Sequence, residues 1–370
     1  MTEKKSLLMV LATALIIGAP VLSLEAEQPS QRFLFIGNSF TMRHELPTLF
    51  ATLAQEGNPE TKVTTATLGY GGRNLFQHWE CYHSYNRLNL SGRSESDLKK
   101  DIEELTRLAE SEGAPAFYTA FWKELGDNAF YAKYVYKTKN DWPADRKLIK
   151  NAIARNNDWL ARRPTAPTNE FDFVVLQSWL DVADDFGRGY FKYAAKFAEA
   201  AKASGARPVL YLTAPYAHNQ TPMTNAVARE QAVGECKAAL AFAKTINAIV
   251  VPVPLAITLA QESGEPVART LTFRYVNDMH PNNTMAYLTA CTFYAAVYGK
   301  SPEGLRFNKA TENKAQNIHG EAVGKNSKQV ISSLTNPDGG PLETVFSDEE
   351  RLFLQRTAWA AVEALRKGEF

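Results

Sequence analysis

The strongest constraint in this sequence is a short apolar run that stops at a glycine: Phe33-Leu34-Phe35-Ile36-Gly37-Asn38-Ser39-Phe40-Thr41. A strand with one face in water alternates polar and apolar residues, so four consecutive apolar side chains predict a strand covered on both faces. Gly37 lets the backbone turn sharply. Beyond it, Glu45, Leu46, Leu49, Phe50 and Leu53 recur at helical spacing, which puts Ser39 in the corner between a buried strand and a helix start. In an open α/β sheet, ligands bind at such corners, at the carboxyl ends of the strands. A serine there has two readings. It is a nucleophile whose developing charge the helix dipole favours, or Asn38 or Ser39 simply caps the helix.

The rest of the chain extends the pattern. Residues 62–68 mix β-branched and small side chains and end in Gly69-Tyr70-Gly71-Gly72. They predict a second strand running either into a turn whose backbone N–H can approach a ligand, or into a plain tight turn. A helix start follows at residues 74–79. Residues 171–177, 207–213 and 248–253 predict three further strands, with helices at 186–203 and 224–245 between them. Alternating strands and helices imply a parallel five-stranded sheet in an α/β fold, covered on both faces.

Between the second and third strands, residues 86–169 read as a helical insertion with helices at 97–110, 116–136 and 144–160. Its middle piece is dense in aromatics, including Tyr118, Phe121, Trp122, Phe130, Tyr131, Tyr134 and Tyr136. These form either packing or a sugar-stacking surface. Residues 275–281 are a polar loop, a helix follows at 284–298, and residues 303–340 read as a polar surface loop. The final helix opens on a capping box, Ser347-Asp348-Glu349-Glu350, ahead of an apolar face of Leu352, Leu354, Ala358 and Val362.

Lys4 and Lys5 precede an apolar segment, residues 7–22, which ends in Ser23-Leu24-Glu25-Ala26. That order predicts a secretory signal over residues 1–26, with a retained membrane anchor as the alternative. Residues 27–370 then form one α/β domain with insertions, working outside the cytoplasm, secreted or periplasmic, without stable insertion in a membrane. A net charge of +1 argues against a nucleic-acid partner. Cys81, Cys236 and Cys291 have no metal-ligand spacing, and one disulfide between two of them is compatible with an oxidising compartment. The six histidines are scattered without a His-x-x-x-His pair, which argues against a metal enzyme.

A serine hydroxyl is a poor nucleophile until an imidazole takes its proton, and a carboxylate usually fixes the tautomer of that imidazole. His280 and Asp278, on the loop after the fifth strand, supply both residue types. Serine follows strand one, glycines strand two, a polar side chain strand three and histidine strand five. All four fall at the carboxyl edge of the sheet and can converge on one cleft.

In these motifs the chain resembles the SGNH/GDSL hydrolase superfamily, from Phe33 to about Pro302 with the insertion excepted. Ile36-Gly37-Asn38-Ser39-Phe40-Thr41 is similar to the first block, Gly71-Gly72-Arg73-Asn74-Leu75 to the second, and Asp278-Met279-His280-Pro281 to the last. The resemblance implies a three-layer α/β/α sandwich with flavodoxin-like strand order, a serine esterase and no cofactor. It implies Ser39 as nucleophile, His280 as base, and Asp278 as acid, or a Ser–His dyad without it. It also implies an oxyanion hole from the N–H groups of Ser39 and Gly72 and the amide of Gln177, with Asn38, Gly71 and Trp179 lining the substrate's place.

Two departures stand out. The third block usually ends its strand in Gly-x-Asn, whereas this chain reads Leu176-Gln177-Ser178-Trp179, so Gln177 either completes the oxyanion hole or supports the loop. The usual acid stands three residues before the histidine, where this chain has Asn277. A secreted member with an aromatic insertion suggests removal of acetyl or other short acyl groups from a carbohydrate or small ester. The alternative is a catalytically silent carbohydrate-binding protein.

Overall fold

The computed structural model describes residues 28–125, 142–166, 168–178, 189–214, 226–276, 278, 280–314 and 334–370. The expected secretory signal, the aromatics Phe130, Tyr131, Tyr134 and Tyr136, and Trp179 lie outside the described residues.

The first strand, β1 (Ser30–Gly37), runs parallel to β2 (Lys62–Gly69) on one side and β3 (Phe173–Gln177) on the other. With β4 (Arg207–Leu212) and β5 (Ile249–Pro252) they make a parallel five-stranded sheet in the order β2-β1-β3-β4-β5. Consecutive residues on a strand face opposite ways. Phe33, Leu34, Phe35 and Ile36 are all 0–1% exposed, so both faces of β1 are covered and the architecture has three layers. Burying such side chains stabilises by roughly 2 kcal/mol each. Phe33 and Phe35 share one face, where Phe50 meets Phe33 at 5.0 Å and Phe293 meets Phe35 at 5.6 Å, ring centre to ring centre.

Among the described residues the α-helices, in chain order, are α1 (Ser39–Met42), α2 (Leu46–Gly57), α3 (Leu75–Glu80), α4 (Glu95–Glu110), α5 (Ala116–Leu125), α6 (Trp142–Ala161), α7 (Tyr190–Ala203), α8 (Ala226–Ile246), α9 (Val253–Glu262), α10 (Asn283–Tyr298) and α11 (Asp348–Lys367). The capping box of α11 forms as expected: Ser347 Oγ accepts from Glu350 N–H, and Glu350 Oε2 accepts from Ser347 N–H at 2.8 Å.

Helix α9 corrects the sequence reading, which ran the fifth strand to Val253 and gave residues 254–262 no element. A continuous apolar stretch directly after a buried strand carries no periodicity that separates the two. The expected surface loop at 303–340 is corrected as well. It contains β6 (Lys309–Thr311), paired antiparallel with β7 (Glu343–Val345), strands too short to announce themselves by alternation.

In the insertion, Tyr118, Phe121 and Trp122 are buried, and Phe121 stacks on Phe76 of α3 at 3.8 Å. These three aromatics therefore serve packing, whereas Phe117 of the same helix is exposed. The three cysteines are buried free thiols, which removes the disulfide alternative. Among the described residues no helix is long and apolar enough to cross a membrane.

Candidate active site

Ser39 is the first residue of α1, immediately after β1 and its turn. The cap is Asn38: its side-chain oxygen accepts from Phe40 N–H at 3.1 Å, and its amide donates to the carbonyl of Arg73 at 3.0 Å. Capping is thus performed by the neighbour, which leaves the Ser39 hydroxyl for another partner. That partner is His280, whose Nε2 lies 2.7 Å from Ser39 Oγ. The two residues are 241 positions apart.

His280 sits in a loop pinned at its base. Arg274 and Pro281 form a β-bridge, and Asn282 N–H donates to the carbonyl of Phe273 at 3.3 Å. His44, buried, places its ring against the carbonyl of Pro281 at 2.8 Å and Asn283 Oδ1 at 2.9 Å, bracing the residues that follow the histidine. The ring of Phe40 lies 5.3 Å from that of His280.

Asp278 Oδ1 receives both the ring Nδ1–H of His280 and, at 3.1 Å, the backbone N–H of His280. Its other oxygen, Oδ2, accepts from Arg43 Nη1 at 2.9 Å and from Lys314 Nζ at 3.3 Å. Burial works against charge on Asp278, but hydrogen bonds to His280 and Arg43 and their charges outweigh it and hold the carboxyl well below the usual carboxylate range. An ionised carboxylate at Nδ1 requires the hydrogen there, so the lone pair of Nε2 faces the serine.

Arg43 is itself buried, and Glu312 fixes it: Nε donates to both Glu312 oxygens at 3.0 Å, and Nη2 adds a further bond to Oε2. Glu312 is only 1% exposed. Neither Arg43 nor Glu312 was a sequence candidate. Arg43 lies four residues past the serine, but 269 positions separate it from Glu312, and nothing local pairs them.

Gly72 adopts a left-handed backbone, φ 68°, which a side chain would strain. Its loop is tied down twice. Asn38 holds the carbonyl of Arg73, and the Arg73 guanidinium donates at 2.6 Å to Asp145 of α6, a carboxylate 1% exposed that also accepts from Tyr82 and Tyr118. The insertion therefore anchors the glycine loop.

Among the described residues, Gly72 N–H has no hydrogen-bond acceptor, and Ser39 N–H, at the first helical position, has none within its helix. Ser39, Phe40, Arg43, Gly71, Gly72, His280 and Lys314 together line a pocket of about 350 Å³.

Two expected site residues are corrected. Gln177 is fully buried and its amide is committed elsewhere: Oε1 accepts from Asn38 N–H at 2.7 Å and from the Thr41 hydroxyl at 2.9 Å, while Nε2 donates to the carbonyl of Ser178. Because a backbone N–H can only donate, the oxygen must face Asn38 and the amide nitrogen points away. A Cβ at Gly37 would overlap Gln177 Oε1 and Thr41 Oγ1, so the glycine is what lets this brace close. Asn38, expected beside the substrate, is fully buried as the cap and does not line the pocket.

A nucleophile, a base with a fixed tautomer and two N–H groups around one pocket can perform acyl transfer.

Neither family models nor curated proteins match this sequence. Among solved structures, the chain is similar to a protein titled "a putative SGNH hydrolase from Slackia heliotrinireducens". The identity is 17%, the TM-score 0.39, and the match covers 72% of this chain and 99% of that one. It is also similar to a DUF4886 family protein from Bacteroides uniformis, at 12% identity and TM-score 0.41, covering 92% of this chain and 96% of that one.

Proposed function

We propose that this chain is a serine ester hydrolase of SGNH type, acting outside the cytoplasm on short acyl groups carried by a carbohydrate or small molecule. The observation that carries this reading is the relay Ser39 Oγ, His280 and Asp278, with 2.7 Å between the hydroxyl and Nε2.

Ser39 Oγ attacks the ester carbonyl while its proton passes to His280 Nε2. The carbonyl oxygen becomes an anion that takes hydrogen bonds from the N–H groups of Ser39 and Gly72. His280 then returns the proton to the leaving alkoxide, the C–O bond breaks and an acyl-serine remains. Water, deprotonated by the same nitrogen, attacks the acyl carbon and releases the carboxylic acid with Ser39 restored. Asp278 stabilises the imidazolium formed in each half. Each backbone donor contributes about 3 kcal/mol to the anion. The apolar wall of Phe40 and the glycine loop suits a short acyl chain.

A fluorophosphonate probe tests the proposal. The folded protein is expected to be labelled stoichiometrically and to hydrolyse short acyl p-nitrophenyl esters, and Ser39→Ala is expected to abolish both. Wild-type protein that binds glycans yet is never labelled overturns the enzyme reading in favour of a binding protein.

A further inference from the structure

A second cluster of donor atoms lies where the loop after α3 meets the first helix of the insertion. His83 holds a left-handed backbone conformation, φ 47°, and is only 4% exposed. Asp101 and Glu104 stand three residues apart on α4 and therefore share a face. A ring nitrogen of His83 and one oxygen from each carboxylate lie within 4.8 Å of one another. None of the three lines the Ser39 pocket.

The histidine is what separates this cluster from an ordinary pair of surface acids. Its Nδ1 is buried with no hydrogen-bond partner among the described residues, and it lies 3.9 Å from Asp101 Oδ1. Arg93 occupies the other oxygen of Asp101 and sits 5.7 Å over the ring of Tyr85. It orients Asp101 as an outer partner orients a ligating group, and leaves Oδ1 turned to His83. Glu104 is exposed and reaches the cluster from solvent.

We propose that His83, Asp101 and Glu104 bind a divalent transition-metal cation, Zn²⁺ in the first instance, with water completing the shell. An imidazole donor with two carboxylates suits zinc and its neighbours, whereas calcium and magnesium take oxygen ligands. A tetrahedral site with bonds near 2.1 Å needs donor atoms roughly 3.4 Å apart. The 3.9 Å gap between His83 and Asp101 closes with a small side-chain rotation, and exposed Glu104 swings in. The ion would clasp α4 to the loop that follows α3 and so fasten the insertion to the sheet domain.

The test uses tag-free full-length protein, titration calorimetry with ZnCl₂ and thermal unfolding with and without the metal. One site is expected, with a rise in Tm of about 4 °C at a hundredfold excess over Kd. Glu104→Gln and Asp101→Asn are each expected to weaken Zn²⁺ binding by about tenfold or more. Glu104→Gln is expected to melt like wild type in the absence of metal and to keep probe labelling of Ser39. Calcium at the same concentration should leave Tm unmoved. Absence of heat and of a Tm shift in wild type overturns the site, as does undiminished Zn²⁺ binding by the Glu104→Gln, Asp101→Asn double variant.

Discussion

Ser39 stands on a corner whose braces are neutral: the Gln177 amide, the Asn38 cap, the Thr41 hydroxyl and the His78 imidazole, which donates from Nε2 to the carbonyl of Gly37 at 2.9 Å. His280 stands on a loop held by charge, through Asp278, Arg43, Glu312 and Lys314. Neutral hydrogen bonds inside a sheet corner tolerate salt and hold geometry by packing. A chain of buried charges is worth much only while complete, because removing one member strands another in low dielectric. The serine side is thus built for rigidity, and the histidine side for control of one proton.

The largest expected effect comes from breaking the charged side at its tautomer. In Asp278→Asn, an amide oxygen can still accept from Arg43, while the amide N–H donates to Nδ1 of His280 and moves the ring hydrogen to Nε2. Ester hydrolysis is expected to fall about ten-thousandfold in kcat with KM little changed. Steady-state kinetics check it, and a loss of only a few fold would make Asp278 dispensable and the site a dyad.

Next in size is Arg43→Leu, which leaves the buried carboxylate of Glu312 without its partner. A stability loss of about 4 kcal/mol is expected in urea unfolding, largely relieved by adding Glu312→Leu.

The serine side has its own weakness in acid. His78 is fully buried and neutral between Gly37 O and Ser84 Oγ, and burial lowers its pKa to about 4. The unfolded ring titrates near pH 6.5. Its contribution is therefore present above that value and lost as pH falls toward 4, about 3 kcal/mol across the window. Asp278, also held low, supports the fold above the unfolded carboxylate range and loses that support only below about pH 4. Acidification is thus expected to loosen the neutral corner first. Urea unfolding at pH 7 and pH 4.5, with a His78→Gln variant whose dependence should flatten, measures this.

The smallest effect is expected at Lys314. Its side chain is 46% exposed and lies 3.3 Å from Asp278. Lys314→Ala is expected to cost about 0.5 kcal/mol of stability at low ionic strength and nothing measurable in high salt.

Much of the fold was legible because β1, β3, β4 and β5 are short apolar runs between glycine, proline and polar breaks. Residues 33–36 are a short apolar run stopped by Gly37, the pattern of a strand covered on both faces. The capping box at Ser347 could only open a helix. Helix α9 was hidden because Val253-Pro254-Leu255-Ala256-Ile257 continues the apolar character of β5, and hydrophobicity alone does not say where extended backbone becomes helical. Gln177 shows a different limit. A glutamine amide has a donor and an acceptor, so residue type allowed an oxyanion donor and a loop brace equally. Only its neighbours, a backbone N–H and a hydroxyl that both need an acceptor, decided which atom faces the turn.

What the sequence determined by itself was the parallel α/β layout and the delivery of Ser39 to the end of β1, because local patterning fixes where strands stop; His280 stands beyond α9, on the loop that leads into α10. Tertiary structure alone decided that Arg43 and Glu312 lock Asp278, that Asp145 of the insertion holds the glycine loop, and that Asn38 rather than Ser39 caps the helix. Those pairings join residues as far as 269 positions apart. The energy of a buried charge or amide depends on which groups surround it in space, and no local pattern encodes that.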